Sequence, residues 1–153
     1  MVLTITIQRA QVLADMKVKS HAEVASMADP AARYLAELGT EKEQEASQCI
    51  NDASAEVVAL LRPLLSGSVD TTGTDTFDDS SDIVFTLDVT SRKAAGLGSP
   101  LAKAIHAYIV DSAMAKYYIS VAQGSLAQAH NARLASEITV INELCYRKQD
   151  PKY

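Results

Sequence analysis

The chain has 153 residues, of which 48% are hydrophobic and 22% charged, and this composition predicts one folded domain with a single hydrophobic core. The formal net charge of −5 argues against a broad phosphate-binding surface, because such a surface needs clustered lysine and arginine. No apolar run approaches the ~20 residues of a membrane-spanning helix, and residues 1–7 lack the basic leader and cleavage site of a signal peptide.

The N-terminal part predicts an extended segment followed by two helices. Apolar residues alternate with threonines over residues 3–7, which is the period of a half-buried strand, although Thr6 could equally cap a helix. We expect a short extended lead into the first helix. Asp29 and Pro30 predict the start of the second helix, since aspartate caps free amides and proline suits the first helical position, and Gly39 predicts its end.

A long amphipathic helix is predicted next. Thr40 and Glu43 have the spacing of a capping box, in which each side chain accepts a hydrogen bond from the other's backbone amide. Pro63 predicts a kink or the closing turn of this helix. The apolar residues recur at steps of three and four, as a buried helix face requires: Ala46, Cys49, Ile50, Ala53, Val57, Leu60, Leu61 and Leu64. Both cysteines of the chain, Cys49 and Cys145, are expected to be buried free thiols.

Residues 67–82 read GSVDTTGTDTFDDSSD and predict a long, exposed, acidic loop. Carboxylates as close as those of Asp75, Asp78 and Asp79 could wrap a calcium ion, but their spacing does not match an EF-hand, and we expect a solvated tip. Residues 83–89 alternate again and predict a strand, with Phe85 on its apolar side. Three partners fit this strand: residues 3–7, a hairpin arm from the acidic loop, or a strand of a neighbouring subunit.

The C-terminal part predicts two further helices. Ser99 and Pro100 predict the start of a helix that is apolar around most of its circumference, so it is expected to be central. Gly124 suits the turn before a last helix, which runs into a basic tail at residues 147–153.

Together these elements predict a mainly α fold, a helical bundle of about four to five helices with a small β element of one or two strands and the long acidic loop. Residues 1–153 are expected to form one domain, because no internal repeat divides them. The sequence signatures of the common enzyme classes are missing, and the three histidines have no ligand partner at a metal-binding spacing. We therefore expect no catalysis, no cofactor and no metal.

The order of the parts and one segment resemble a known family. Residues 101–151, LAKAIHAYIVDSAMAKYYISVAQGSLAQAHNARLASEITVINELCYRKQDP, resemble the C-terminal helices of small head–tail connector or adaptor proteins of tailed bacteriophages and prophages. The resemblance implies a structural virion protein without catalysis, made in the cytoplasm of the bacterial host and placed in the neck of the virion. It further implies a homo-oligomeric ring between the portal protein and the tail or neck proteins, through which DNA passes without being specifically bound. The negative net charge suits such a conduit because it repels the duplex.

Three features predict where the subunits of such a ring would meet. A single strand leaves backbone groups that a neighbouring strand can pair, and the basic tail can meet the acidic loop of an adjacent copy. Consecutive side chains on a helix point about 100° apart, so at least one of Tyr117 and Tyr118 is expected to face outside the core. The predicted interface residues are Asp75, Asp78, Asp79, Phe85, Tyr118, Tyr146, Arg147 and Lys148.

A competing interpretation is a small bacterial binding or regulatory module, in which the apolar helix over residues 100–123 lines a groove for a ligand or peptide. An enzyme with an unfamiliar site forms a third class, but no constellation of residues supports it.

Overall fold

The computed structural model describes residues 2–67 and 82–146, which form a bundle of α-helices with a two-stranded sheet. The predicted mainly α fold with a small β element is therefore confirmed. No helix of the described ranges is long and apolar enough to cross a membrane. In chain order the elements are β1 (Val2–Ile7), α1 (Arg9–Val24), α2 (Pro30–Ala36), a 3-10 turn (Thr40–Lys42), α3 (Glu43–Leu61), a second 3-10 turn (Arg62–Leu64), β2 (Ile83–Asp88), α4 (Ser91–Ser120) and α5 (Gly124–Tyr146).

The strand predicted over residues 83–89 pairs with the N-terminal segment, which decides among its three possible partners. β1 and β2 run antiparallel, with Val2 opposite Asp88 and Ile7 opposite Ile83. Alternate residues of each strand are buried, because one face of the sheet packs on the helices while the other meets solvent. Residues 2–7 therefore form a paired strand of the sheet, and not only an extended segment that leads into α1.

The free edge of β2 is partly covered by the chain that follows α3. The Ser66 amide donates a hydrogen bond to the Thr86 carbonyl at 2.8 Å, and Leu65 forms a bridge to Leu87. Strand pairing within the monomer thereby satisfies much of the backbone that a neighbouring subunit was expected to pair.

At the C-terminal end of β1, Gln8 occupies the N-cap position of α1, and its side chain makes no capping hydrogen bond. The alternative in which Thr6 caps this helix is therefore wrong.

The start of α2 confirms one predicted cap, and the start of α3 corrects another. Asp29 accepts a hydrogen bond from the Ala31 amide at 3.0 Å. The capping box of Thr40 and Glu43 does not form, because a 3-10 turn comes before α3 and the Glu43 carboxylate instead pairs with Lys17 of α1. A tertiary ion pair has replaced the local cap.

The amphipathic pattern of α3 predicts its buried face. Leu60 and Leu64 are half-buried, whereas the remaining six residues of the predicted stripe are buried. The helix gives way to a 3-10 turn that contains Pro63, as the missing proline amide requires. Both predicted free cysteines are buried, Cys49 on this helix and Cys145 on α5.

Helix α4 begins earlier than the sequence predicts. It starts at Ser91, and Pro100 lies inside it, although proline was expected at its first turn. A proline at this position removes the hydrogen bond to the carbonyl of Gly96, but Gly96 and Pro100 are both exposed, so water can reach that carbonyl. Leu97 and Leu101 are buried on either side of the proline, and this burial extends the helix through it.

The prediction that α4 is central is met, because α1, α3, α5 and β1 all pack against it. Tyr117 and Tyr118 are both fully buried, so the expectation that one of them faces outside the core is wrong. Elements on opposite sides of α4 cover the two rings: the Tyr117 hydroxyl donates to the Ala36 carbonyl at 3.0 Å, and the Tyr118 ring stacks on His130.

The turn between α4 and α5 is a Schellman motif centred on Ala122. The Gln123 amide donates to the Tyr118 carbonyl at 2.8 Å, and the Ala122 amide donates to the Ile119 carbonyl at 3.2 Å. Ala122 has φ 60°, a left-handed conformation that usually selects glycine. Gly124 follows as the first residue of α5, so the glycine in this turn does not occupy the left-handed position.

Leu61→Ala is expected to lower the free energy of unfolding by about 2–5 kcal/mol, because Leu61 is fully buried and its truncation leaves a cavity. Ile119 provides a matched control, since it is 63% exposed and Ile119→Ala should change stability by less than about 0.5 kcal/mol. Chemical denaturation measures both. A similarly small effect at Leu61 would contradict its place in the core.

Ala122→Gly is expected to raise the free energy of unfolding by about 0.5–1 kcal/mol, because glycine adopts the left-handed conformation without the steric cost that alanine carries. Ala132→Gly, at an exposed position inside α5, is the control and should lower stability by about 1 kcal/mol. Thermal or chemical unfolding compares the two variants. Equal destabilisation by both would rule out the left-handed turn.

Candidate functional site

The structure tests only some of the predicted interface residues. Phe85 and Tyr118 are fully buried in the monomer, because Phe85 lies on the core face of the sheet and the Tyr118 ring stacks on His130 of α5. Neither side chain is available to another subunit, and both predictions are corrected. Tyr146 is 39% exposed at the end of α5, where its hydroxyl donates to the Leu60 carbonyl at 2.6 Å.

The remaining predicted interface residues lie outside the described ranges. These are Asp75, Asp78 and Asp79 of the acidic loop, together with Arg147 and Lys148 of the basic tail. Their roles stay predictions. The hydrogen bond from Tyr146 to Leu60 does place the C-terminal end of α5 beside the end of α3.

A buried polar network joins α1, α4 and α5 around His130. The Nδ1 atom of His130 lies 2.7 Å from Asp111 Oδ1, and its Nε2 atom lies 2.9 Å from both carboxylate oxygens of Glu23. Arg133 Nη1 lies 3.5 Å from the same Asp111 oxygen. Buried charges are tolerated only when they are paired and hydrogen-bonded, and the two carboxylates satisfy both ring nitrogens of the histidine.

The ionisable groups of this network shift one another's pKa values. Burial alone would lower the pKa of His130, but its hydrogen bonds with Asp111 and Glu23 raise it above the ordinary value. Burial and the neighbouring Asp111 carboxyl raise the pKa of Glu137 to about 8. Burial would raise the pKa of Asp111, but its hydrogen bonds with His130 and Glu137 and the nearby positive charges together outweigh burial and lower this pKa to about 2. Glu137 is therefore neutral and Asp111 ionised near pH 7.

A second polar cluster clamps α3 to α4. Glu56 of α3 accepts hydrogen bonds from Tyr108, Ser112 and Lys116 of α4, and Lys116 Nζ also lies 3.0 Å from the Ser112 hydroxyl. A serine beside a lysine can act as a nucleophile with its base, but Ser112 is fully buried and Lys116 is held in an ion pair. The geometry therefore makes this cluster a structural clamp whose serine is buried.

A solvent-open cleft of about 320 Å³ lies between the start of α1 and the middle of α4. At its rim His106 Nε2 lies 2.6 Å from Asp15 Oδ2, and Gln11 donates to the other oxygen of Asp15 at 3.1 Å. Lys103 adds a positive charge. No nucleophilic side chain is held against this histidine in the described structure, so the pair lacks the third group of a catalytic triad.

The outer face of α5 is almost uncharged. Between residues 125 and 142 its exposed residues carry a single charge, that of Arg133, although a solvated helix face normally carries many. The other exposed residues are small or neutral: Ser125, Gln128, Ala129, Asn131, Ala132, Ala135, Ser136, Thr139, Val140 and Asn142. This face borders a groove of about 200 Å³ between α4 and α5, lined by Ala104, Ala107, Ser136, Glu137 and Val140.

The sequence contained little signal for these features. His130 and Glu23 are 107 residues apart, and the link becomes visible only after α5 packs beside α1. Asp111 and Ser112 did interrupt an apolar helix, and buried polar residues in such a helix require partners. The scarcity of charged residues in α5 is visible in the sequence, but the sequence does not reveal that this face of the helix is exposed.

Among the residues that the structure describes, no group of three or more His, Cys, Asp or Glu side chains is arranged so that it could hold a metal ion. Comparisons of the chain with protein-family models, with curated proteins and with solved structures find no match. The assignment of a function therefore depends on the surfaces and the sequence of this chain.

Stability is expected to fall as the pH rises from about 5 to about 8.5. Glu137 and His130 both have raised pKa values in the folded protein, so the folded chain binds more protons than the unfolded chain in this range. The stability that these two groups contribute is fully present below their pKa values in the unfolded chain. It is lost as the pH rises through their pKa values in the folded chain. Denaturation midpoints measured along this pH range test the direction.

Glu137→Gln is the control variant, because glutamine imitates the neutral carboxyl and cannot ionise. It should remove much of the slope between about pH 5 and pH 8, on the order of 1 kcal/mol since partial exposure screens the pair, and leave the part due to His130. A wild-type chain that becomes more stable as the pH rises through this range would contradict the assigned protonation states.

Proposed function

We propose that this protein is a structural virion protein, a head–tail connector or adaptor subunit that forms a ring between portal and tail. The resemblance of residues 101–151 to such subunits motivates the proposal, and the helical bundle with its small sheet agrees with the fold that the resemblance implies. The observation that carries it is the uncharged outer face of α5, because the centre of a protein interface is depleted in charged residues.

The size of this face indicates that it is one part of an interface. The uncharged stretch from residue 125 to residue 142 is about 27 Å long and presents a face about 10 Å wide, or roughly 270 Å². Stable interfaces bury about 800 Å² on each partner. A ring contact that uses α5 therefore needs a second patch, for which the acidic loop and the basic tail remain candidates because their charges are complementary.

The competing function, a module that binds a ligand or peptide along α4, has less support. Its proposed groove required the apolar surface of α4 to be open, but residues such as Tyr108, Ile109 and Tyr117 are buried by neighbouring elements of the same chain. The cleft beside His106 is the feature that favours this alternative, since about 320 Å³ lies at the lower end of small-molecule sites.

Removal of this chain from the phage or prophage that encodes it is expected to give heads and tails that do not join. Electron microscopy of the particles measures this directly, and cryo-microscopy of intact virions should show the chain as a ring in the neck. Complementation with a chain that lacks residues 147–153 tests the tail, and should fail to restore joined particles. Normal tailed particles without the chain would reject the connector function and favour the binding module.

A further inference from the structure

The groove between α4 and α5 has the size and chemistry of a site for a protein side chain. Its volume of about 200 Å³ is below the roughly 300–1,000 Å³ of small-molecule sites. Ala104, Ala107 and Val140 make most of its wall apolar. Glu137, the ionisable residue in its wall, has one carboxylate oxygen that is buried without a hydrogen-bond partner among the described residues, an arrangement that suits the neutral form.

A matching apolar projection lies elsewhere on the same molecule. Tyr34 and Leu35 are neighbours on α2 and are 66% and 63% exposed. Their helix is held firmly, because Lys42 Nζ donates to the carbonyls of Tyr34, Leu35 and Glu37 and thereby covers the C-terminal end of α2. Exposed apolar residues on a rigid element bind at a low cost in conformational entropy.

We propose that Leu35 of one copy of the chain inserts into the α4–α5 groove of the next copy, with Tyr34 covering its rim. This inference rests on the proposed ring and names the contact that would build it. In this contact the Tyr34–Leu35 corner is the patch on one copy, and the groove with the adjoining neutral face of α5 is the patch on the next.

The two patches are too far apart for the contact to form within one molecule. α2 is tied to the end of α4 by the hydrogen bond from Tyr117 to Ala36, whereas the groove lies at Ala104 and Ala107. Ten residues of helix separate Ala107 from Tyr117, which is about 15 Å. A contact between two different patches of identical subunits is head-to-tail, and it closes into a ring when its rotation permits.

Sedimentation velocity of four full-length chains tests the contact. The wild type is expected to form species larger than two chains, whereas Leu35→Asp and Val140→Asp should each remain at the monomer mass of 16.4 kDa. Val84→Asp is the matched control, because Val84 is 42% exposed on the outer face of the sheet and Val140 is 46% exposed. It should keep the wild-type mass. Circular dichroism verifies that each variant is folded.

Mixing the two defective variants provides the sharper test. Leu35→Asp keeps an intact groove and Val140→Asp keeps an intact Leu35, so an equimolar mixture should form a two-chain species that cannot grow further. The wild-type assembly should also weaken above about pH 8, where Glu137 gains charge in the apolar groove, and Glu137→Gln should abolish that weakening.

Three results would overturn the inference. One is a wild-type chain that stays monomeric up to about 1 mM, which corresponds to an affinity weaker than about 4 kcal/mol. Another is assembly that survives both aspartate substitutions, and the third is a mixture that forms no two-chain species. If rings are lost only in Val84→Asp, the contact between subunits lies on the sheet instead of the groove, and the connector function is not contradicted. A wild-type chain that stays monomeric, together with normal virions that form without the chain, would reject both this contact and the connector function.

Discussion

The near-complete burial of α4 between Tyr108 and Tyr118 is the constraint on which the rest of the structure depends. α1, α3, α5 and β1 pack against it, and the hydroxyl of Tyr117 reaches the end of α2. A helix that is apolar around its circumference is stable in water only when other elements cover it. The two-stranded sheet, which would be marginal by itself, is stabilised by contributing its apolar face to the same core.

Polar residues inside this core add specificity to a packing that is otherwise non-directional. Asp111 and Ser112 lie on the buried helix, where Asp111 pairs with His130 of α5 and Ser112 donates a hydrogen bond to Glu56 of α3. His130 in turn contacts Glu23 of α1. A buried carboxylate without a partner is costly, so the positions of Glu23, Glu56 and His130 fix how the outer helices are set against α4. The raised pKa values of Glu137 and His130 make this arrangement sensitive to pH.

The filled interior also determines which functions remain open to this chain. The apolar surface that a ligand groove would have used is consumed by the monomer's own core, and the serine of the Glu56 clamp is buried. The described surface offers a neutral helix face, a small groove, a rigid apolar corner and the cleft beside His106. The first three of these features suit contacts between proteins, and they favour the assembly role over the alternatives.

The sequence by itself determined the elements whose signals are local. The alternation of apolar residues predicted β2 and an extended segment where β1 forms, the three- and four-residue steps predicted the buried face of α3, and Asp29 with Pro30 predicted the start of α2. These signals depend on backbone geometry and on neighbouring side chains, which the sequence contains. The order of the elements was enough to predict a mainly α bundle.

The features that depend on contacts between residues far apart in the sequence were decided only by the tertiary structure. Burial of Leu97 carried α4 through Pro100, and the ion pair with Lys17 replaced the capping box of Glu43. Phe85 and Tyr118 became core residues because other elements cover them, and periodicity within one element does not reveal how many of its sides will be covered. The His130 network, the groove and the exposed Leu35 arise where separate elements meet, so residue spacing alone contains no information about them.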